Sequence, residues 1–346
     1  MVDFLDLLPG MLGRALRSGY ALELSVAPSS WQLLYTALDR HRSLAATAAR
    51  LARLARPRML SAIGVGCAAV VSTYPLASQV LGELRRRGQL SAPVASVLCD
   101  MSVHQLWVNA GVDAHLTMHK ISADQAQSLD APGIVVTAPA VDPRFRPMRR
   151  GEEAINARQQ FGLPLDRKLA LVLAGSWGVG EVEQTALDLA ASDVVVPVVV
   201  CGRNTRLRHR LAKRRIGIPL DWVEDMPALL RAADLVVHNA GGLSCMEALA
   251  AEVPVVTYRC IPGHGQTNVA ALDLSGLAVH ARNVAELHQL VGLAMSDEFA
   301  ALQRSAASTL WAAPDPATTI AELALSSRSH RCAQQPDSPS RPEPQS

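Results

Sequence analysis

Short apolar runs rich in valine alternate with helical stretches through most of the chain. The run AAVVSTYP at 68–75 is followed by a predicted helix from about Leu76 to Arg87, and further runs start at residues 93, 114 and 134. Continuous apolar runs, unlike alternating ones, are typical of parallel strands that helices cover on both faces. The first half of the chain is therefore predicted to be a parallel α/β domain.

The same alternation resumes after residue 167. Predicted strands begin at residues 168, 195, 234 and 253, with a further apolar run at 277–282, and predicted helices begin near Glu181, cover 204–215, 227–233 and 242–251, and resume near Val284. Together the two halves predict an α/β protein of two Rossmann-like, doubly wound domains in tandem.

The pattern is interrupted in the middle and at the end of the chain. Residues 142–166 hold three prolines, many charges and one short predicted helix from Glu152 to Phe161, which is typical of a segment between domains. The polar, proline-rich end is predicted to be disordered. The resulting division is a first domain at 1–145, a linker at 146–167, a second domain at 168–325 and a disordered tail at 326–346.

Composition agrees with a globular protein that works without disulfides. With 346 residues, 49% of them hydrophobic, the chain is long enough for two buried cores. Its six cysteines form no CxxC pair, and several lie in apolar runs, which is typical of reduced cysteines in a cytoplasm and not of a metal site. No apolar stretch approaches the ~18 residues of a membrane span, and the start lacks the basic flank of a signal peptide. We therefore expect a cytoplasmic protein, soluble or peripherally bound.

The net charge of +2 is too small to indicate nucleic-acid binding, but arginines cluster locally. In the segment RHRSLAATAARLARLARPR at 40–58 they alternate with Leu44, Leu51 and Leu54 at near-helical spacing. Such a helix suits the surface of an anionic membrane. The alternative is an ordinary solvated helix face.

Polar loops with glycines follow three predicted strands of the second domain, and it is at such strand ends that open parallel sheets bind ligands. The first loop, AGSWGVGE at 174–181, contains Gly175, Ser176, Gly178 and Gly180. Its glycines let the backbone approach an anion just ahead of a helix N-terminus. A plain tight turn after a strand would look similar.

The second loop, HNAGG, places Asn239, Gly241 and Gly242 between a strand and a helix. The helix N-terminus offers unpaired N–H groups and about half a positive charge, which suit a phosphate or diphosphate. Glu247 lies in the same helix, so its carboxylate could face the hydroxyls of a sugar. The alternative is a solvent-facing glutamate.

The third stretch, RCIPGHGQTNV at 259–269, is predicted to be a loop because it contains a proline and two glycines. Its side chains supply uncharged hydrogen-bond donors and acceptors. The candidate residues are Gly263, His264, Gln266, Thr267 and Asn268.

The stretch NAGGLSCMEALAAEVPVVTYRCIPGHGQTNV resembles the donor-binding segment of the monogalactosyldiacylglycerol synthase family of glycosyltransferases. It is more distantly similar to that of the N-acetylglucosaminyltransferase that forms lipid II. CGRNTRL at 201–207, the W-x-x-D-M-P-x-L-L sequence at 222–230 and residues 99–119 also resemble stretches of diacylglycerol glycosyltransferases. The resemblance covers about residues 68–300.

The resemblance implies a GT-B fold, in which two domains face a cleft, the first binding the acceptor and the second a UDP-sugar. The loop Gly175 to Gly180 would close over the diphosphate from across the cleft. No cofactor is implied beyond the UDP-sugar co-substrate, because a helix dipole and backbone N–H groups can stabilise the leaving group. The implied contacts are ribose for Glu247, diphosphate for Gly241, Gly242 and Ser244, and sugar or uracil for Gln266 and Asn268.

The family begins with a strand and a glycine-rich loop that ends in a histidine, and residues 1–20 resemble no such unit. We therefore expect about 30 residues of a strand-helix-strand unit to be missing, through a misplaced start codon or real loss. Asp100, at the end of a predicted strand, and His104 are then the candidates for the base that takes the acceptor's proton. A purely structural histidine is the alternative.

The leading hypothesis is inverting transfer of a hexose from a UDP-sugar to a diacylglycerol-like lipid at the inner face of the cell membrane. A lipid II-type or soluble acceptor is the enzymatic alternative. A nucleotide-sugar-binding protein without turnover is the alternative from another class.

Overall fold

The computed structural model of the protein describes residues 1–17, 19, 37, 41–147 and 151–333. The first part of the described chain contains a four-stranded sheet with its helices. These elements are α1 (Arg42–Ala52), α2 (Arg56–Ala62), β1 (Val70–Ser72), α3 (Pro75–Arg86), β2 (Val94–Val97), β3 (Ala114–Thr117), α4 (Lys120–Ser128) and β4 (Ile134–Val136). The sheet is parallel, with the strand order β1-β2-β3-β4.

The rest of the described chain contains a six-stranded parallel sheet and its helices. These elements are α5 (Glu152–Gln160), β5 (Leu169–Leu173), α6 (Val182–Ala190), β6 (Val196–Val200), α7 (Thr205–Arg214), β7 (Ile218–Leu220), α8 (Met226–Ala232), β8 (Leu235–His238), α9 (Leu243–Ala250), β9 (Val255–Tyr258), α10 (His264–Leu274), β10 (Val279–Ala281), α11 (Val284–Ala294), α12 (Asp297–Trp311) and α13 (Pro316–Ala333). The strand order is β10-β9-β8-β5-β6-β7. The predicted architecture of two parallel α/β domains is confirmed.

The second sheet reverses its strand order at β5, which lies between β8 and β6. Loops at such a reversal diverge to opposite faces of the sheet and leave a crevice beyond the carboxyl ends of the strands. Leu173 and His238, the last residues of β5 and β8, are paired in register. The loops that follow them therefore start side by side.

The stretch 259–269 differs most from its prediction. It is a loop only as far as Gly263, whose φ of 83° ends the turn, and α10 begins at His264. The helix forms because Val269 and Leu272 lie one turn apart and bury 97% or more of their surface against the sheet (exposures 3% and 0%). The helix was not predicted, because two glycines near its start are typical of a loop.

Two further elements connect parts of the chain that the prediction kept apart. The helix predicted between the domains is present as α5, and its Arg158 binds Asp234 Oδ2 of the second domain at 2.7 Å. Helix α13 packs through Ile320 and Leu323 against the core of the first sheet, although residues up to 325 were predicted to belong to the second domain.

The predicted disordered tail is wrong for residues 326–333, because α13 continues to Ala333. Its sequence holds no proline between Pro316 and Pro336 and no glycine, so nothing interrupts the helix. Residues 334–346 lie outside the described part of the chain.

Candidate donor-binding site

The loops after β5, β8 and β9 meet at the carboxyl edge of the second sheet, as the sequence predicted. Asn239 donates from Nδ2 to the carbonyl of Val179 at 2.8 Å, which joins the first loop to the second. Ile261 N–H donates to the carbonyl of Asn239 at 2.7 Å, which joins the second to the third. The three loops therefore form one connected surface.

The loop Gly175 to Gly180 borders this surface and is held in place by contacts with the loop after β6. The carbonyl of Ser176 accepts from Arg203 N–H at 2.9 Å, and a Cβ at Gly178 would lie 2.7 Å from the carbonyl of Cys201. The implied position across the cleft from the diphosphate is wrong, because β5 and β8 are neighbours in the same sheet.

His238 holds the second loop in shape, a role that the sequence did not reveal. Its Nδ1 accepts from the N–H groups of Ala240 and Gly241, both at 2.9 Å. Burial lowers the pKa of His238 to about 4, so the ring is neutral at physiological pH and can accept both bonds. The only sequence signal is a histidine at the end of a strand, directly before the NAGG loop.

Asn239 is also buried. Its side chain is 6% exposed and donates to Val179, whereas its Oδ1 has no hydrogen-bond partner among the described residues, so its contact with a donor stays a prediction.

The two glycines of the NAGG loop differ in what surrounds them. Gly241 has a φ of 69°, its N–H is bound by His238, and a Cβ would lie 2.8 Å from Leu272 Cδ1. A Cβ at Gly242 would have nothing within 4 Å. The structure therefore turns Gly241 inward and leaves Gly242 facing open space, and the contact of both glycines with a diphosphate stays a prediction.

Helix α9 begins directly after Gly242, which serves as its N-cap and provides no side-chain hydrogen bond. The backbone N–H groups of the first turn, at Leu243 and Ser244, are thus left for a ligand. An uncapped helix N-terminus beside open space favours an anion.

Glu247 lies one turn further along α9 and is half-buried. Burial, with a smaller contribution from the charge of Asp142, raises the pKa of Glu247 to about 7. Asp142 belongs to the segment between the two domains, and bonds from Arg144 hold its own pKa low. Asp142 was not predicted, because nothing in a segment between domains indicates which side chain will lie near Glu247.

The helical form of α10 separates the polar residues that were predicted to act together. Two positions along a helix are turned by about 200°, so Gln266 points away from Asn268. Gln266 is exposed and lines a cavity with Arg259 and His280. The prediction that Gln266 and Asn268 share one ligand is not supported by this geometry.

Asn268 connects the two domains. It is fully buried, its Oδ1 accepts from the N–H and Oγ of Ser102 at 2.8 Å each, and its Nδ2 donates to Asp100 Oδ1 at 3.0 Å. Nδ2 keeps a second N–H, and the sugar or uracil contact of Asn268 stays a prediction. Asp100, one predicted base candidate, is thereby held at the donor domain, whereas His104 lies against Trp107 with 6.3 Å between ring centroids.

The described residues contain no group of three or more His, Cys, Asp or Glu side chains placed to hold a metal ion.

We predict that replacing His238 by Phe destabilises the protein by about 2–4 kcal/mol, because two buried N–H groups lose their acceptor. His238→Asn is the control, since an amide Oδ1 can stand near the position of Nδ1. Urea unfolding measures both variants, and equal stability of Phe and wild type would contradict this role.

The same contact has a pH dependence. Because the folded pKa of about 4 lies below the ordinary 6.5, neutral His238 contributes stability fully above pH 6.5 and loses it as the pH falls toward 4. We expect this acid-dependent loss to be absent in His238→Asn.

The two parallel α/β domains have the GT-B glycosyltransferase fold, which two solved structures share. Anabaena HepE in complex with UDP superposes with a TM-score of 0.53 at 14% identity, over 81% of this chain and 82% of that protein. Sucrose-phosphate synthase from Thermosynechococcus elongatus gives 0.56 at 13% identity, over 82% and 79%.

The sequence is similar to those of glycosyltransferases in both halves of the chain. Residues 1–136 match the family described as monogalactosyldiacylglycerol (MGDG) synthase, and residues 144–309 match glycosyl transferases group 1. A processive diacylglycerol beta-glucosyltransferase of Bacillus cytotoxicus is 29% identical over 268 residues, which are 74% of this chain and 67% of that protein. The chain is thus similar to these lipid glycosyltransferases along most of its length.

Proposed function

We propose that this protein transfers a hexose from a UDP-sugar to a diacylglycerol-like lipid, with inversion at the anomeric carbon. The observation that carries the proposal is the pairing of the uncapped start of α9 at Gly242 with the half-buried carboxylate of Glu247. The names of the Bacillus relatives support the acceptor class.

The diphosphate lies at the N–H groups of Leu243 and Ser244 in this proposal. The α9 dipole and these donors stabilise the negative charge that develops on UDP as it leaves. Gly242 leaves the necessary room, since a side chain there would project into the cleft.

Glu247 binds the ribose hydroxyls in this proposal. The carboxylate accepts hydrogen bonds from both hydroxyls, and such charge-assisted bonds are stronger than neutral ones. Ligand hydroxyls also replace the water that Glu247 loses through burial, so the ligand lowers the raised pKa of the free site.

The first domain offers a surface for the membrane that holds the lipid. Leu44, Leu51 and Leu54 are 42%, 58% and 50% exposed along α1 and the turn after it. No helix in the described ranges is long and apolar enough to cross a bilayer. We therefore propose that these leucines insert shallowly into a cytoplasmic membrane face.

The arginines of this segment divide between two tasks. Arg53 and Arg56 are ion-paired with Glu83, a 4% exposed carboxylate that also binds Arg87. Arg53 and Arg56 therefore anchor the segment to α3. This differs from the prediction, in which all the arginines of the segment faced the membrane. Arg50 is exposed and remains a candidate for anionic headgroups.

We predict that replacing Leu44, Leu51 and Leu54 together by Gln weakens vesicle binding by about 10- to 100-fold, because the apolar area that enters the bilayer is lost. Sedimentation with vesicles containing anionic lipid measures the effect. Leu293 and Leu302, which are 47% and 68% exposed in the second domain, are the control positions. Equal losses at both sets would contradict a specific membrane face.

Transfer assays with a panel of acceptors test the proposed function. We expect labelled hexose to move from a UDP-hexose to diacylglycerol in vesicles and not to a soluble alcohol. Transfer to a polyprenyl-diphosphate sugar or a soluble acceptor alone would favour the alternative enzymes. UDP binding without transfer to any acceptor would favour a binding protein.

A further inference from the structure

Arg259 begins the third donor loop, 259–263, with a φ of 46°, in the left-handed region that disfavours bulky side chains. The other described residues that are not glycine and have a positive φ lie just after helices, where a left-handed residue is a common end: Asp130, Asp193, Arg215 and Glu252. Arg259 instead follows strand β9. A side chain persists in such a conformation where its surroundings hold it, so the partners of Arg259 identify what holds it.

Asp188 on α6 binds Arg259 from within the second domain. It is a buried carboxylate, 8% exposed, and its Oδ2 accepts from Arg259 Nε at 2.9 Å and from the Tyr258 hydroxyl at 2.8 Å. Its Oδ1 accepts from Gln184 Nε2 at 2.8 Å. Burial acts to raise the pKa of Asp188, but these bonds together hold it below its ordinary value, so the carboxylate is ionised near neutral pH. The charge of Arg259 is therefore paired inside the fold.

Arg259 also binds the end of the first loop. Its Nη1 donates to Glu181 Oε2, and Glu181 directly follows Gly180 and is the N-cap of α6. A Cβ at Gly180 would lie 2.7 Å from Asn239 Nδ2 and 3.5 Å from Ile261 Cγ1. The end of the first loop is thus packed against both other loops at the point where Arg259 holds it.

Arg259 faces a cavity outside the cleft between the domains. It lines this cavity with Gln266, on the face of α10 that is turned away from Asn268. Ile261, two residues further along the chain, donates from its N–H to the carbonyl of Asn239 at 2.7 Å. An effect of Arg259 on a bound donor therefore passes through the loops that it joins, and not through contact with the donor.

We propose that Arg259 is a positioning residue of the donor site. By binding Asp188 and Glu181 at once, its guanidinium sets the distance between the first loop and the third, and both loops hold the NAGG loop ahead of α9. The inference deepens the proposed function and rests on it, because the NAGG loop leads to the proposed diphosphate site. A planar guanidinium spans two carboxylates from separate N–H groups, whereas the single ammonium of lysine occupies one position.

Arg259→Lys tests the assignment, because it keeps a charge beside Asp188 but cannot span both carboxylates. We expect the UDP dissociation constant, measured by calorimetry, to rise about 10-fold. The KM for the UDP-sugar should rise similarly while kcat changes less than about threefold, since the interaction is lost in the ground state and the transition state alike. The midpoint of thermal unfolding should fall by less than about 2 °C, because Asp188 stays paired.

Arg210→Lys is the matched control. It alters the ion pair between Arg210 of α7 and Glu183 of α6, which is formed by the same residue types but joins none of the three loops. This variant should bind UDP as the wild type does. A loss of UDP affinity equal to that of Arg259→Lys would contradict a specific role of Arg259.

Glu181→Gln supplies a second readout, and the 63% exposure of the Glu181 side chain lets this variant keep the fold. With Glu181→Gln already present, Arg259→Lys should weaken UDP binding by less than about twofold, because the link that Lys breaks is then absent. An undiminished effect in that background would overturn the proposal, as would unchanged UDP affinity in Arg259→Lys itself. No binding of UDP by the wild type would contradict the proposed function and, with it, this inference.

Discussion

Replacing Glu247 by Ala is expected to weaken UDP binding by about 100-fold. The substitution removes a charged acceptor for two ribose hydroxyls, and hydrogen bonds to charged groups contribute about 1.5–3 kcal/mol each. Titration followed by the fluorescence of Trp177, which is 47% exposed in the neighbouring loop, measures the affinity. Unchanged affinity would remove Glu247 from the donor site.

The pH dependence of ligand binding tests the role of Glu247 more specifically than the Ala variant does. Binding needs the ionised carboxylate, so affinity should weaken as the pH falls through about 7, where the free Glu247 takes up a proton. Uridine is the preferred ligand for this titration, because it lacks the phosphates that titrate in the same range. The pH dependence should be absent in Glu247→Gln.

Glu247 also links function to stability with a defined sign. Its folded pKa of about 7 exceeds the ordinary 4.5, so its contribution to stability is complete below pH 4.5 and is lost as the pH rises through 7. Glu247→Gln should therefore be more stable than the wild type at pH 8, by about 1–2 kcal/mol after allowance for solvent screening. This difference should shrink toward pH 4.5, and urea unfolding at the two pH values checks it.

Replacing Gly242 by Val is expected to abolish most UDP binding without destabilising the fold. The backbone there has φ of −89°, which any residue adopts, and a Cβ would have nothing within 4 Å. The added side chain would stand where the diphosphate is proposed to lie, and we expect at least a 30-fold loss of affinity, or about 2 kcal/mol. Calorimetry measures the loss, and thermal unfolding shows whether the fold is intact.

Gly241→Ala is the matched control at the neighbouring position. A Cβ there meets Leu272 and Asn268, and the φ of 69° disfavours any side chain, so this variant should lose stability. If both variants lost stability alike, or if Gly242→Val bound UDP normally, the inward and outward roles of the two glycines would be wrong.

The sequence was sufficient for the fold because several strands, among them β5, β8 and β9, are fully buried. Strands such as β5 and β8 are continuous apolar runs. Such runs are typical of parallel strands that helices cover on both faces of the sheet. The edge strand β7 was missed because Pro219 and a half-buried pattern resemble a loop. The contact of α13 with the first sheet was not predicted. The chain passes back from the second domain to the first there, and no residue pattern near α13 indicates this.

The placement of the glycine loops and of the helix that carries Glu247 was predictable, since it follows from where loops lie in a doubly wound sheet. The partners of buried polar atoms were not. His238 and Asn239 were indistinguishable from ligand contacts in sequence, although the structure ties both to backbone atoms. Asn268 was assigned to a ligand because its actual partners, Asp100 and Ser102, lie about 170 residues earlier and are brought close only by tertiary folding.

A crystal structure with UDP bound would show where the diphosphate and the ribose lie. We expect the diphosphate within about 3 Å of the N–H groups of Leu243 and Ser244, and the ribose hydroxyls at a similar distance from the Glu247 carboxylate. UDP bound away from the start of α9, or a ribose that does not contact Glu247, would contradict this expectation.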